Sequence, residues 1–110
     1  MTSEVSSVNL RKMTLPKGYF LMFQIWGKQV KGTRIIKQYT VSIPDNAGNR
    51  TKKVFRAMTE LCREFDLQEP IWLDINIREF QQFSFTRFHQ DNFIEPIEFD
   101  YLEFRVLKEE

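Results

Sequence analysis

The chain has 110 residues, with 16 Lys and Arg against 15 Asp and Glu; 42% of it is hydrophobic and 28% charged. That length suits one domain around one core, and the balance excludes a disordered polyelectrolyte. The single cysteine, Cys62, excludes an internal disulfide, and the longest nearly apolar run, eight residues at 19–26, falls short of the about 20 that a membrane-spanning helix needs.

A lone thiol and a polar N-terminal segment without an apolar leader point to a reducing compartment. The expectation is a cytoplasmic protein with no membrane partner. Residues 1–17 read as a tail and 18–110 as the domain, with Pro16-Lys17-Gly18 as the turn between them.

Residues 19–26 are apolar on both alternating faces. Tyr19, Leu21, Phe23 and Ile25 lie on one, and Phe20, Met22 and Trp26 on the other. This pattern predicts a central strand covered on both sides. The stretch from Gly27 to Gly32 is polar and bounded by glycines, and reads as a loop. Residues 34–43 alternate, with Ile35, Tyr39, Val41 and Ile43 on the apolar face and Lys37 interrupting it. The two strands form a hairpin.

After the loop 44–48, Asn49 is placed to cap a helix over 50–65. Val54, Met58, Leu61 and Phe65 recur at helical spacing, and Phe55 and Cys62 widen the stripe. This is an amphipathic helix laid on a sheet. Ile71, Trp72 and Leu73 follow Pro70 and read as a short strand or extended segment. Asp74 can cap a second short helix over 75–83, with Ile77, Phe80 and Phe83 on one side. Residues 84–89 look extended. The last strand, 98–107, sets Leu102, Phe104 and Val106 on one face and Phe99, Tyr101 and Leu107 on the other. The whole predicts an α+β fold: a mostly antiparallel sheet with one main amphipathic helix packed across a face.

The net charge of +1 hides an uneven distribution. Residues 1–56 hold eleven Lys and Arg against Glu4 and Asp45 alone, whereas residues 57–110 hold five against thirteen Asp and Glu. Such asymmetry has two readings, a polyanionic partner for the basic half or mutual neutralisation of the halves within one sheet.

The later part of the chain carries the runs Pro70-Ile71-Trp72-Leu73, Asn76-Ile77-Arg78-Glu79-Phe80, Thr86-Arg87-Phe88, Gln90-Asp91-Asn92-Phe93-Ile94-Glu95 and Phe99-Asp100-Tyr101-Leu102-Glu103. In these it resembles a group of short proteins of Gram-positive gut bacteria and their mobile elements. No activity, ligand or site residue is attached to that group. The resemblance therefore implies a bacterial origin and leaves the function to the residues themselves.

Catalytic and metal signatures are sparse. Cys62 lies on the apolar helix stripe, where a thiol behaves as a small hydrophobe. One His and one Cys do not make up a usual zinc set, and there is no glycine-rich phosphate loop or other small-molecule or cofactor signature. If 84–91 is extended, Arg87, His89 and Asp91 share a face. Asp91 could then orient His89 for general acid–base work, the arrangement of a small nuclease. The alternative is a solvated polar strand face. A second anomaly is Arg50, Lys52, Lys53 and Arg56 crowding a helix N-terminus, against the macrodipole. With Lys28, Lys31 and Arg34 they could form a nucleic-acid surface.

The leading expectation is a non-enzymatic interaction protein. It would dock a protein partner, or form a homodimer, through Phe20, Met22 and Trp26 on a sheet face that the main helix cannot cover. A nucleic-acid-binding module is the alternative, and a nuclease around His89 the weaker one. A continuous basic stripe on the surface would favour nucleic acid, and a dry aromatic patch a protein partner.

Overall fold

The computed structural model describes residues 22–109. The expected tail, the first three residues of the expected first strand and the interface candidate Phe20 lie outside them. The elements are β1 (Met22–Lys31), β2 (Arg34–Pro44), α1 (Arg50–Phe65), α2 (Asp74–Phe83), β3 (Phe85–Phe88) and β4 (Tyr101–Glu109), with short 3-10 turns at Asp45–Ala47 and Gln90–Asn92. The four strands form one antiparallel sheet in the order β2-β1-β4-β3, which makes the domain α+β.

β1 is an interior strand, as its composition predicts, but it runs past the expected end at Trp26 as far as Lys31. The stretch from Gly27 to Lys31 is strand, and the turn is confined to Gly32 and Thr33. Gly32 takes the left-handed conformation (φ 62°), and its N–H donates to Asp100 Oδ2 at 2.7 Å. Gly27 serves a different purpose. A Cβ there would collide with the Leu61 side chain, so the glycine sets how closely α1 approaches the sheet.

α1 begins and ends where its pattern predicts, and the Asn49 side chain accepts from the Lys52 N–H at 2.9 Å. Its buried stripe is Lys53, Val54, Ala57, Met58, Leu61, Cys62 and Phe65. Phe55 does not widen that stripe. It is 52% exposed, and Ala57 holds the inward position. In α2 only Asn76 and Phe80 are buried, while Ile77 and Phe83 face outward. Asp74 is the first helical residue rather than the cap, which falls on Leu73.

Residues 71–73 are irregular rather than a strand. Trp72 makes edge contacts with Phe80, Phe88 and Phe104, with ring centroids 5.6, 4.9 and 6.0 Å away. Each such pair adds about 0.5–1.5 kcal/mol beyond area burial. Trp72 thus pins the chain to the same sheet face that α1 covers. That face carries Phe23, Ile25, Val41, Ile43, Leu102, Phe104 and Phe88, all buried.

Neither helix covers the opposite face. The expectation of a strand apolar on both sides is corrected here. The outward residues of β1 are Met22, Gln24, Trp26 and Lys28, all half-buried, and alternate polar with apolar. Gln24 bonds Ser42 on β2 and Trp26 bonds Gln38, both at 3.0 Å. A face built this way holds its polar groups in water and does not need a second apolar layer.

Candidate functional site

The open face is organised by one carboxylate. Glu103 lies mid-β4 and pairs across to Lys28 on β1 and Arg87 on β3. It is only 2% exposed although it points away from the core. Arg87 Nε and Arg105 Nε donate to its two oxygens at 3.1 and 3.0 Å, and Lys28 Nζ lies 3.6 Å away. Burial alone would raise this carboxyl. The Arg105 and Arg87 hydrogen bonds, with the Lys28 and Arg105 charges, outweigh burial and hold it below the usual carboxylate range. Three cations around one anion leave the centre of the sheet positive.

Each cation also covers a ring. Lys28 Nζ is 4.5 Å from the Trp26 ring, Arg87 Cζ 4.5 Å from Tyr101 and Arg105 Cζ 4.1 Å from Phe85. The three rings are half-buried. The result is a row of interleaved cationic and aromatic groups crossing β1, β4 and β3.

Arg87, His89 and Asp91 surround one cavity of about 540 Å³ with Glu79, Asn76, Asn92, Leu73, Ile75 and Phe85. They do not share a strand face as expected, because β3 stops at Phe88 and Asp91 lies in the 3-10 turn. The His89 ring rests beside Tyr101, with centroids 5.7 Å apart, and no hydrogen bond joins it to Asp91 among the described residues. The hydrogen bond that the expected acid–base pair calls for is therefore absent among the described residues.

A buried polar network underlies this cavity. Asn92 Nδ2 donates to Asn76 Oδ1 (2.7 Å), Asn76 Nδ2 to Thr86 Oγ1 (2.9 Å), and Thr86 Oγ1 to Glu79 Oε1 (2.7 Å). Asn76 also bonds the Leu73 N–H and the Arg87 carbonyl, and Asn92 bonds the Ile71 carbonyl and the His89 N–H. Every polar atom of both amide side chains is thus used, as burial demands. The sequence reading missed Asn76, Glu79 and Glu103. The one available signal was an Asn on the inner side of a short helix, where an apolar residue belongs.

The other basic residues are dispersed. Arg50 pairs with Glu109 at 2.9 Å and stacks over Phe80, and Arg56 pairs with Glu60 at 3.1 Å. Lys53 is buried, its ammonium 5.4 Å from the Phe23 ring. Lys52, Lys31 and Arg34 are exposed, the last two flanking the β1–β2 turn. The pairs Lys28–Glu103 and Arg50–Glu109 join the basic and acidic halves, so part of the charge asymmetry is neutralised internally.

Among the described residues no group of three or more His, Cys, Asp or Glu is placed to hold a metal, and no helix is long and apolar enough to cross a membrane. Comparison of the chain with protein-family models, curated proteins and solved structures found no match.

Proposed function

We propose that this domain is a binding module that takes a single strand of nucleic acid across its open sheet face. One observation carries the reading: Lys28, Arg105 and Arg87 form a positive row interleaved with Trp26, Phe85 and Tyr101 around Glu103. Single strands need that combination. Cations meet the phosphates, and rings or guanidinium planes stack on bases. Glu103 holds the cations in place and leaves them in excess. The surface differs from the one expected at the start of α1, and of the residues named there it retains Lys28.

The test is fluorescence anisotropy with labelled octauridylate and octathymidylate at low salt. The Lys28→Gln/Arg105→Gln double variant is expected to bind at least about tenfold more weakly, since phosphate contacts dominate affinity. Lys52→Gln, on the helical side, is expected to bind as wild type. No binding by the wild type, or equal loss in Lys52→Gln, would remove the reading.

Contact with a protein partner is a second reading, supported by β2. Residues 34–40 of this edge strand are all exposed, including Ile35, Ile36 and Tyr39. An edge of this length, unpaired among the described residues, can add a strand from a second copy. Lys37, midway along it, opposes such pairing, because a charge there must be desolvated. Sedimentation equilibrium at micromolar concentration measures the outcome.

A further inference from the structure

The 540 Å³ cavity beside the sheet face has walls of unusual chemistry: two carboxylates, Glu79 and Asp91, one arginine and two flat rings. We propose that it is a base pocket selective for guanine. This rests on the single-strand reading above, since Arg87 belongs to both the sheet face and the cavity.

The argument starts at Glu79. Three buried groups, Asn92, Asn76 and Thr86, donate in sequence and in one direction, and the chain of donors ends on Glu79 Oε1. Such aligned bonds polarise one another and hold the terminal carboxylate in one orientation. No protein group among the described residues bonds Oε2. A carboxylate anchored through one oxygen and open through the other is a prearranged acceptor.

Arg87 supplies the complementary group. Its Nε is spent on Glu103, and no hydrogen bond engages the terminal nitrogens of the guanidinium among the described residues, so they can donate. Guanine fits this pair best among the bases. Its N1–H and N2–H are adjacent donors, one for the open Oε2 and one for the remaining lone pair of Oε1, and its O6 and N7 are acceptors for an arginine fork. Adenine and uracil lack two adjacent donors, and cytosine offers one amino group beside an acceptor. Phe85 and His89, also in the lining, provide flat faces for stacking.

The experiment compares octauridylate with the same octamer carrying one central guanosine, and titrates free guanosine monophosphate by amide NMR. The wild type is expected to prefer the guanosine octamer by about tenfold, the worth of a good bidentate contact. Glu79→Gln is expected to lose that preference and to keep its affinity for octauridylate. Its amide carbonyl still accepts from Thr86, but an NH2 group then faces the guanine donors. If both octamers bind equally, or Glu79→Gln keeps the preference, the guanine pocket is overturned and the sheet-face reading stands. If neither octamer binds but guanosine monophosphate shifts the Glu79, Arg87 and His89 amides in wild type and not in Glu79→Gln, the pocket stands as a site for the free nucleotide and the sheet-face reading falls. Silence in every arm overturns both.

Discussion

Glu103 is an anion sealed beneath Arg87, Arg105 and Lys28, and its ionisation is tied to folding. Its folded carboxyl titrates below the usual range. A lowered carboxyl pKa contributes stability that is present above the unfolded value, about 4.3, and lost as pH falls through the folded value. Wild type is therefore expected to lose stability steeply below about pH 4, and Glu103→Gln to show a shallower slope there. At pH 7 the variant is expected to be less stable by about 1–3 kcal/mol, the cost of a lost charged hydrogen-bond partner. Urea denaturation between pH 3 and 7 reads both effects, and parallel slopes would show that the carboxylate is not the charged hub. Cys62 behaves oppositely. Burial, with a further push from the Glu69 charge, raises its thiol to about 12, so the thiolate is not formed at neutral pH. Its placement on the apolar stripe agrees with the packing role expected of it.

Gly27 sits where β1 meets α1, and Leu61 occupies the space a Cβ would need. Leu61 is fully buried, so it can make way only by shifting within the packed core. Gly27→Ala is expected to cost about 1–3 kcal/mol, the range for overpacking, with a fall in melting temperature read by circular dichroism. Gly32→Ala should also destabilise, for a different reason, because Gly32 has open space around it and a positive φ. The contrast explains how far the elements were legible. Periodicity placed α1, the interior position of β1 and the alternation of β4 from Tyr101 on, but β4 begins three residues later than expected and Phe99 is buried in the core. It misplaced the end of β1, because two glycines five residues apart look like loop boundaries whether they serve a turn or a close approach. It misassigned Phe55 for a related reason. Small Ala57 is buried on the inner side of α1 while Phe55 is exposed, and helical spacing alone does not weigh size. Residues 71–73 look like a strand because apolar runs are ambiguous, whereas Trp72 is fixed by ring contacts made far along the chain. The candidate site was the least legible part. Glu103, Lys28, Arg87 and Arg105 come from three strands, and only the strand order brings them together.

At the scale of the molecule the two sides of the sheet differ in kind, apolar under the helices and charged on the open side, and salt separates the two functional readings. Binding of a strand by Lys28, Arg87 and Arg105 would release counterions from the phosphates they meet. For single strands the slope of log affinity against log salt is about −0.7 per neutralised phosphate, so three contacts give about −2. Glu103, buried beneath the cations, would moderate the field and lower the slope only modestly. Removing one cation, as in Arg105→Gln, is expected to bring the slope to about −1.4. Attachment of a partner along β2 would follow another rule. It would form backbone hydrogen bonds and cover Ile35, Ile36 and Tyr39, and such contacts change little between 50 and 200 mM salt on the scale of about a Debye length. Anisotropy titrations over that salt range, on wild type and Arg105→Gln, measure the slopes directly. A wild-type slope near zero would place binding away from the charged face, and an unchanged slope in Arg105→Gln would take that arginine out of the contact.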